Sequence, residues 1–73
     1  MTQLTLFRAN PFQIGSQNYR LLERLRRGPT TNKEMVDKMR LFKYGGHLSE
    51  LRAKGFNVEG VQVLKGLWEY RLK

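Results

Sequence analysis

The stretch LSELRAKGFNV, residues 48–58, is where the spacing of apolar residues along the chain changes from helical to strand-like. Before Gly55, its leucines lie three residues apart and share one face of a helix. After Gly55, residues 56–59 alternate between apolar and polar, which is typical of a half-buried strand. Glycine directly after a helix commonly ends it. The stretch therefore predicts a helix within residues 43–54, followed by antiparallel strands.

A first helix is predicted over residues 17–27, where apolar side chains recur at helical spacing. Ser16 precedes it and is suited to accept a hydrogen bond from a backbone N–H of the first turn. The Gly28-Pro29 pair follows it and favours a stop, because neither residue continues a helix well.

The segment TNKE, residues 31–34, predicts the start of a second helix, because it matches a capping box. Apolar residues then indicate that this helix ends near Met39 or Arg40. The third helix starts less clearly, because Gly45-Gly46 costs about 1 kcal/mol per glycine in a helix interior. The pair either marks a late helix start or allows a neighbouring helix or a partner to approach closely.

Residues 56–72 predict two or three short antiparallel strands, with a hairpin turn within residues 60–66. The order of three helices and a β-hairpin is that of an α+β winged helix-turn-helix domain. We expect residues 16–73 to form this domain and residues 1–15 to be a flexible N-terminal tail, since Asn10-Pro11 breaks any regular element.

The composition points to an acidic partner. Fourteen Lys and Arg stand against six Asp and Glu among 73 residues, giving a net charge of +8. Such a surplus attracts polyanions, so nucleic acid is the first expected partner, before a membrane surface or an acidic protein face. The chain has no cysteine, which excludes disulfides and thiol catalysis and suits a reducing cytoplasm. No apolar run is long enough for a membrane span, and no leader pattern is visible.

Four segments resemble a family of small helix-turn-helix domains that is common in phages and prophages. They are YRLLERL (19–25), GPTTNKE (28–34), LSELRAKGFNV (48–58) and WEYRL (68–72). The Gly45-Gly46 pair departs from the family pattern. The resemblance implies a winged helix fold, a phage origin and action in the bacterial host cytoplasm. Proteins of this kind include DNA-binding regulators, and factors that bind host RNA polymerase and inhibit initiation or prevent termination.

The third helix is the candidate reader of double-stranded DNA, because a recognition helix presents its first residues to base edges in the major groove. Its outward side chains are expected to be Lys43, His47, Glu50 and Lys54; a solvated face without a ligand is the alternative. Cations elsewhere are candidates for phosphate contacts or for weak surface pairs. The predicted nucleic-acid-binding residues are Arg24, Arg27, Lys33, Arg40, Lys43, His47, Lys54 and Lys65, the last near the hairpin turn.

Enzymatic chemistry is not expected. His47 is the single histidine and has no companion ligands, so no metal site is predicted. The sequence shows no nucleophile paired with a base and no phosphate-binding loop, so we expect no cofactor and no small-molecule substrate. Phe56, Trp68 and Tyr70 are assigned to the core by their strand spacing, in preference to a base-stacking surface.

The N-terminal tail carries a separate motif. Gln3, Leu4, Leu6 and Phe7 resemble the short peptide by which bacterial proteins bind the replication sliding clamp. Alternatively, the same residues form a first strand, pack on the domain or bind another protein.

Three functional hypotheses follow. The leading one is a small phage-type transcription regulator that binds DNA. The second is a phage factor that binds host RNA polymerase, suggested by Glu50 on the expected reading face, the glycine pair and the apolar tail. The third is a sliding-clamp-binding protein.

Overall fold

The computed structural model describes residues 10–73. Helix α1 (Gln17–Arg27) has the predicted bounds. The Ser16 hydroxyl accepts a hydrogen bond from the Tyr19 N–H at 3.1 Å, and Gly28 ends the helix with a φ of +146°, a value that favours glycine. One face of α1 buries three leucines in the core, namely Leu21, Leu22 and Leu25.

Helix α2 (Asn32–Asp37) begins as predicted, since the Thr31 hydroxyl accepts a hydrogen bond from the Glu34 N–H. The expected end near Met39 or Arg40 is wrong. The backbone of Arg40 adopts a φ of +60°, which an α-helix does not allow. This turn lets both neighbours of Arg40, Met39 and Leu41, reach the core.

Helix α3 (Tyr44–Ala53) begins one residue before Gly45-Gly46 and contains the pair in its first turn, so the glycines do not mark a late helix start. Its other end is closed by Gly55, whose φ is +94°, while the Phe56 N–H donates to the Leu51 carbonyl. This is the hydrogen-bond pattern of a glycine-terminated helix with an apolar residue packed after it. Phe56 is accordingly buried.

The sheet contains β1 (Thr30–Thr31), β2 (Val58–Leu64) and β3 (Leu67–Leu72). All pairs are antiparallel, in the order β1-β3-β2. Gly66 turns the hairpin with a φ of +79°. Residues 10–73 thus form a small α+β domain of three helices and a three-stranded antiparallel sheet, which is compatible with a winged helix. None of the helices within residues 10–73 has the length and apolar character needed to cross a membrane.

The core lies between the helices and the base of the hairpin. It consists of leucines and methionines from all three helices and the turn after α2, together with Phe56 and Val58. Tyr44 and Tyr70 pack at its edge. The assignment of Trp68 to the core is wrong, since 38% of this residue is exposed. Trp68 lies nearer the hairpin turn than Tyr70 and Leu72, which pack against the core.

Asn10, which belongs to the predicted flexible tail, contacts helix α1. Its side-chain amide donates to the Tyr19 carbonyl and to the Glu23 carboxylate, both on α1. Phe12 packs against the core. Asn10 and Phe12, which the predicted boundary places in the tail, therefore contact α1 and the core, and the boundary at residue 15 stays a prediction.

Asn32 attaches the hairpin to the helices. Its amide nitrogen donates to the Gly66 carbonyl at 3.1 Å, and its amide oxygen accepts from the Trp68 N–H at 3.0 Å. The Tyr44 hydroxyl lies 3.4 Å from the same nitrogen. The starts of α2 and α3 and the turn of the hairpin therefore meet around one side chain.

Gly60 provides the first test of this packing. A Cβ at this position would lie 2.7 Å from Cε1 of Tyr70. We expect Gly60→Ala to lower the free energy of unfolding by about 1–3 kcal/mol, because the ring must move. The control is Gly45→Ala, which meets no atom within 4 Å and should leave stability unchanged or raise it by up to about 1 kcal/mol. Urea unfolding measures the free energy of unfolding of both variants, and equal values would contradict the close contact between Gly60 and the Tyr70 ring.

Asn32 provides the second test. Asn32→Ala removes both hydrogen bonds to the hairpin and should cost about 1–2 kcal/mol, with faster hydrogen exchange at the amides of β2 and β3. Asn32→Asp keeps an acceptor for the Trp68 N–H and loses the donor to Gly66, so we expect an intermediate effect. Unchanged exchange in both variants would show that Asn32 does not anchor the hairpin.

Candidate nucleic-acid interface

Two of the predicted DNA-binding cations meet at the start of α3. Arg40 lies in the turn after α2, and Lys43 is the N-cap residue of α3. Both are exposed. They line an open cleft of about 650 Å³, together with Gln17, Phe42, Gly46, His47 and Glu50. Within residues 10–73, neither Arg40 nor Lys43 forms an ion pair, so their charges remain available to an anion.

The backbone explains why these cations face solvent. Arg40 stands between two buried residues, Met39 and Leu41. The left-handed φ at position 40 turns the chain between them and leaves Arg40 outside. A left-handed conformation costs a residue with a Cβ roughly 1–2 kcal/mol, so an asparagine or glycine would be less strained here.

The start of α3 is open. No side chain caps the helix at Lys43. Gly45 and Gly46 are exposed, and an added Cβ at either position would meet no atom within 4 Å. The first turn of a helix carries a partial positive charge from its backbone N–H groups. An approaching surface can therefore come close to this backbone beside Arg40 and Lys43.

His47 does not extend outward as predicted. Its Nδ1 lies 2.6 Å from the Asn18 amide oxygen on α1, and its side chain is 19% exposed. The Asn18 amide nitrogen donates to the Glu50 carboxylate at 2.9 Å, so the amide oxygen of Asn18 faces His47 and accepts a hydrogen bond from its Nδ1–H. His47 and Glu50 thus hold α3 against α1, and His47 lines the floor of the cleft.

Arg24 is partly buried and held by hydrogen bonds within the domain. Its guanidinium donates to the Glu34 carboxylate at 2.7 Å and to the backbone carbonyls of Gly28 and Pro29. The predicted role as a phosphate ligand does not fit this arrangement, because the donors of Arg24 tie α1 to α2. The hydrogen bond from Arg24 lowers the pKa of Glu34 below its ordinary value and outweighs the opposing effect of burial.

The other predicted cations occupy separate places. Lys33 follows Asn32 and Lys65 precedes Gly66, so both lie one residue from the contact between α2 and the hairpin. Arg27 lines a second cleft of about 350 Å³ that also includes Arg24. Lys54 caps the far end of α3. The structure therefore places Arg40, Lys43 and His47 together, and Lys33 and Lys65 beside the hairpin turn.

Two residues of this face escaped the sequence analysis. Phe42 is 67% exposed and lines the cleft between the two cations. Leu41, the residue before it, is buried, and the left-handed turn at Arg40 comes directly before this pair. Asn32 was treated as part of a capping box, although its position in a first helical turn makes it a candidate for contacts beyond the helix.

The clamp-like motif Gln3, Leu4, Leu6 and Phe7 lies outside the described residues. Within residues 10–73, no group of three or more histidine and acidic side chains is placed to hold a metal ion.

Acid should remove the contribution of the Arg24–Glu34 pair. The lowered pKa of Glu34 means that the pair stabilises the fold above the unfolded carboxyl's pKa, and that this stability is lost as pH falls through the folded value. We expect Arg24→Met to cost about 1–3 kcal/mol near pH 7 and less near pH 3. The control is Arg71→Met, which breaks an exposed pair with Glu59 and should cost under about 1 kcal/mol. Chemical denaturation at both pH values tests this; an equal loss at both would contradict it.

Comparisons of the chain with known protein families, with curated proteins and with solved structures find no match.

Proposed function

We propose that this chain is a non-enzymatic, phage-type winged helix domain that binds double-stranded DNA and regulates transcription in the bacterial host cytoplasm. The observation that carries the proposal is the cluster of Arg40, Phe42 and Lys43, exposed together at the open start of α3. In winged helix proteins, the start of this helix faces the bases, and flanking cations bind phosphates.

The supply of unpaired cations supports the proposal. Of the described cations, four lie in ion pairs with carboxylates, namely Arg24, Arg26, Arg71 and Lys73. Within residues 10–73, Arg20, Arg27 and Lys38 elsewhere on the surface are also exposed and in no ion pair. Lys33, Arg40, Lys43 and Lys65 form no ion pair either, and all four are exposed. They belong to the starts of α2 and α3 and to the hairpin turn, which Asn32 holds together. Phosphate contacts from such a face would provide most of the affinity.

The composition of α3 indicates weak reading of base sequence. Its exposed residues include Gly45, Gly46, Ser49 and Ala53, whose side chains are absent or too short to reach base edges in a DNA groove. His47 and Glu50 are engaged with Asn18. We therefore expect discrimination to come from Lys43 and Phe42 alone, and a wrong base pair to cost no more than about 1 kcal/mol, the lower end of the usual range.

A salt titration tests the proposal. Fluorescence anisotropy with a labelled 20-base-pair duplex should give a slope of log K against log salt near −5 if about six phosphates are contacted. Arg40→Asn and Lys43→Gln should each weaken binding and make the slope shallower by about 0.9. Arg40→Asn should keep or raise thermal stability, because asparagine tolerates the left-handed backbone.

The matched control is Lys73→Gln. This substitution also removes one positive charge. Lys73 pairs with Glu59 and lies at the end of the hairpin opposite to Lys65. We expect a smaller effect on affinity and slope than at Arg40 or Lys43. Absence of binding in low salt, or an equal response of all three variants, would overturn the proposal.

A protein partner is the second candidate function, favoured by exposed apolar side chains such as Phe42 and Leu64. Under this alternative, the chain is a factor that binds host RNA polymerase and inhibits initiation or prevents termination. A pull-down from nuclease-treated bacterial lysate should then recover polymerase subunits, and Phe42→Ser should abolish the recovery. The clamp hypothesis is tested separately by Leu6→Ala with Phe7→Ala against purified sliding clamp.

A further inference from the structure

Strand β2 lies at the edge of the sheet. The order β1-β3-β2 places β3 in the middle, so β2 has one strand neighbour within residues 10–73. An edge strand presents backbone N–H and C=O groups that can pair with a further strand, and proteins usually protect it with lysine, proline or a very short length. β2 spans Val58–Leu64, seven residues, and contains neither lysine nor proline.

The pairing of β2 with β3 determines which of its backbone groups point outward. The Lys73 N–H donates to the Asn57 carbonyl at 2.9 Å. Along an antiparallel strand, residues alternate between those bonded to the neighbouring strand and those that face away from it. Counted from Asn57 along the register with β3, the residues of β2 that face the open edge are Val58, Gly60 and Gln62.

The usable part of this edge is limited at both ends. The Arg52 side chain donates from Nε to the Val58 carbonyl at 3.2 Å, which occupies the first outward acceptor. A register shift between Gln62 and Leu64 interrupts the strand near the hairpin turn. Between these limits, Gly60 and Gln62 direct a short row of N–H and C=O groups away from the sheet.

A second copy of β2 matches this row. When two β2 strands lie antiparallel about a two-fold axis at Val61, Gly60 of each copy lies opposite the partner's Gln62. Both residues face outward, so each such pair exchanges two backbone hydrogen bonds. An axis at Gly60 would instead need the Val58 carbonyl, which Arg52 already binds. The contacts at the edge therefore favour the axis at Val61.

The side chains at this axis are apolar. Val61 is 47% exposed and lies on the sheet face away from the core, since Gly60 beside it faces the partly buried Tyr70 ring. At the axis, Val61 lies opposite the partner's Val61 in the closer kind of antiparallel pair, with Cα atoms about 4.5 Å apart. Residues 60–64 contain no charged side chain. Two copies thus meet here without burying a charge.

Other occupants fit this edge less well. A nucleic acid or a lipid headgroup is bound by cations, and Val58–Leu64 contains none. An extended segment of another protein would meet the same backbone groups, but it would have to supply the matching register and apolar contact independently. A second copy of β2 supplies both by symmetry.

We propose that two copies of this chain associate through β2, antiparallel about Val61, and form one continuous sheet in the order β1-β3-β2-β2-β3-β1. The contact is isologous, since each copy contributes the same residues. One strand pair buries less surface than the ~1,200 Å² of a standard interface, so we expect a dissociation constant of about 1 µM to 1 mM. Arg40 and Lys43 take no part in this contact, and the inference is independent of DNA binding.

Association of the full chain is measured first. Sedimentation equilibrium from micromolar to millimolar concentration should show a monomer–dimer equilibrium. Added salt should strengthen association, because it screens the repulsion between two chains of net charge +8. Residue-resolved hydrogen exchange should show protection at the Gly60 and Gln62 amides that rises with chain concentration. The amides of residues 59 and 61, which face β3, should be protected at every concentration.

Two variants disrupt the pairing in different ways. Val61→Lys sets two lysines opposite each other at the axis and should raise the dissociation constant about tenfold or more. Within its own chain, position 61 lies opposite Glu69, so the lysine has a counter-charge in the monomer. Gln62→Pro removes an outward N–H and leaves the hydrogen bonds to β3 in place, so it should weaken association similarly. Both variants should unfold near the wild-type temperature.

A charge-swapped mixture and a matched control complete the test. An equimolar mixture of the Val61→Lys and Val61→Glu chains should restore association as a mixed dimer, because opposite charges then meet at the axis. The control is Leu64→Lys, which adds the same charge at a side chain that is 65% exposed and lies beyond the register shift. It should change the dissociation constant by about twofold or less.

The opposite results are equally specific. A chain that stays monomeric at millimolar concentration in high salt overturns the proposal and leaves DNA binding standing. Association that is lost in Leu64→Lys but kept in Val61→Lys and Gln62→Pro runs through the apolar residues near the turn, and overturns pairing at the edge. Protection of the Gly60 and Gln62 amides that is independent of concentration also overturns it, because a segment of the same chain then occupies the edge.

Discussion

The amide side chain of Asn32 is the connection on which the shape of the exposed face depends. It binds the turn of the hairpin on both sides, at the Gly66 carbonyl and the Trp68 N–H, and reaches the Tyr44 hydroxyl at the start of α3. The Tyr44 and Tyr70 rings, 6.4 Å apart, add an apolar contact next to it. A two-stranded hairpin is only marginally stable alone. Its outer half is therefore positioned by this polar contact more than by the core, which ends near Tyr70.

The charged residues divide into two groups with different consequences. Some cations pair with carboxylates, as Arg24 does with Glu34 and Arg71 with Glu59. The Arg24–Glu34 pair is partly shielded and also satisfies two backbone carbonyls, so it contributes more than an exposed pair would. Because only six acidic residues are available, most of the fourteen cations remain on the surface. Their surplus has little to do with stability and much to do with which partners the domain attracts.

The start of α3 is built at some cost to stability. Two adjacent glycines, an N-cap residue without a capping bond and a left-handed arginine are each worse than an available alternative. They have one effect in common, which is to leave backbone and cations open at the same place. Departures from local preference that cluster at one site are more often seen where a surface binds something than where it only supports the fold.

Much of the fold was readable from the sequence, because local interactions determine it. Hydroxyl caps at Ser16 and Thr31, glycine stops and the change of period at Gly55 depend on neighbours within a few residues, and they located all three helices and the hairpin. Net charge is additive, so the expectation of an acidic partner also needed no structure. The tertiary structure decided which polar side chains remained available. Arg24 and His47 are engaged by Glu34 and Asn18, residues 10 and 29 positions away, and Phe42 is exposed because the backbone reverses at Arg40. Those contacts depend on how the helices pack. The spacing of apolar residues along the chain does not indicate which residue of another helix will lie opposite a given side chain.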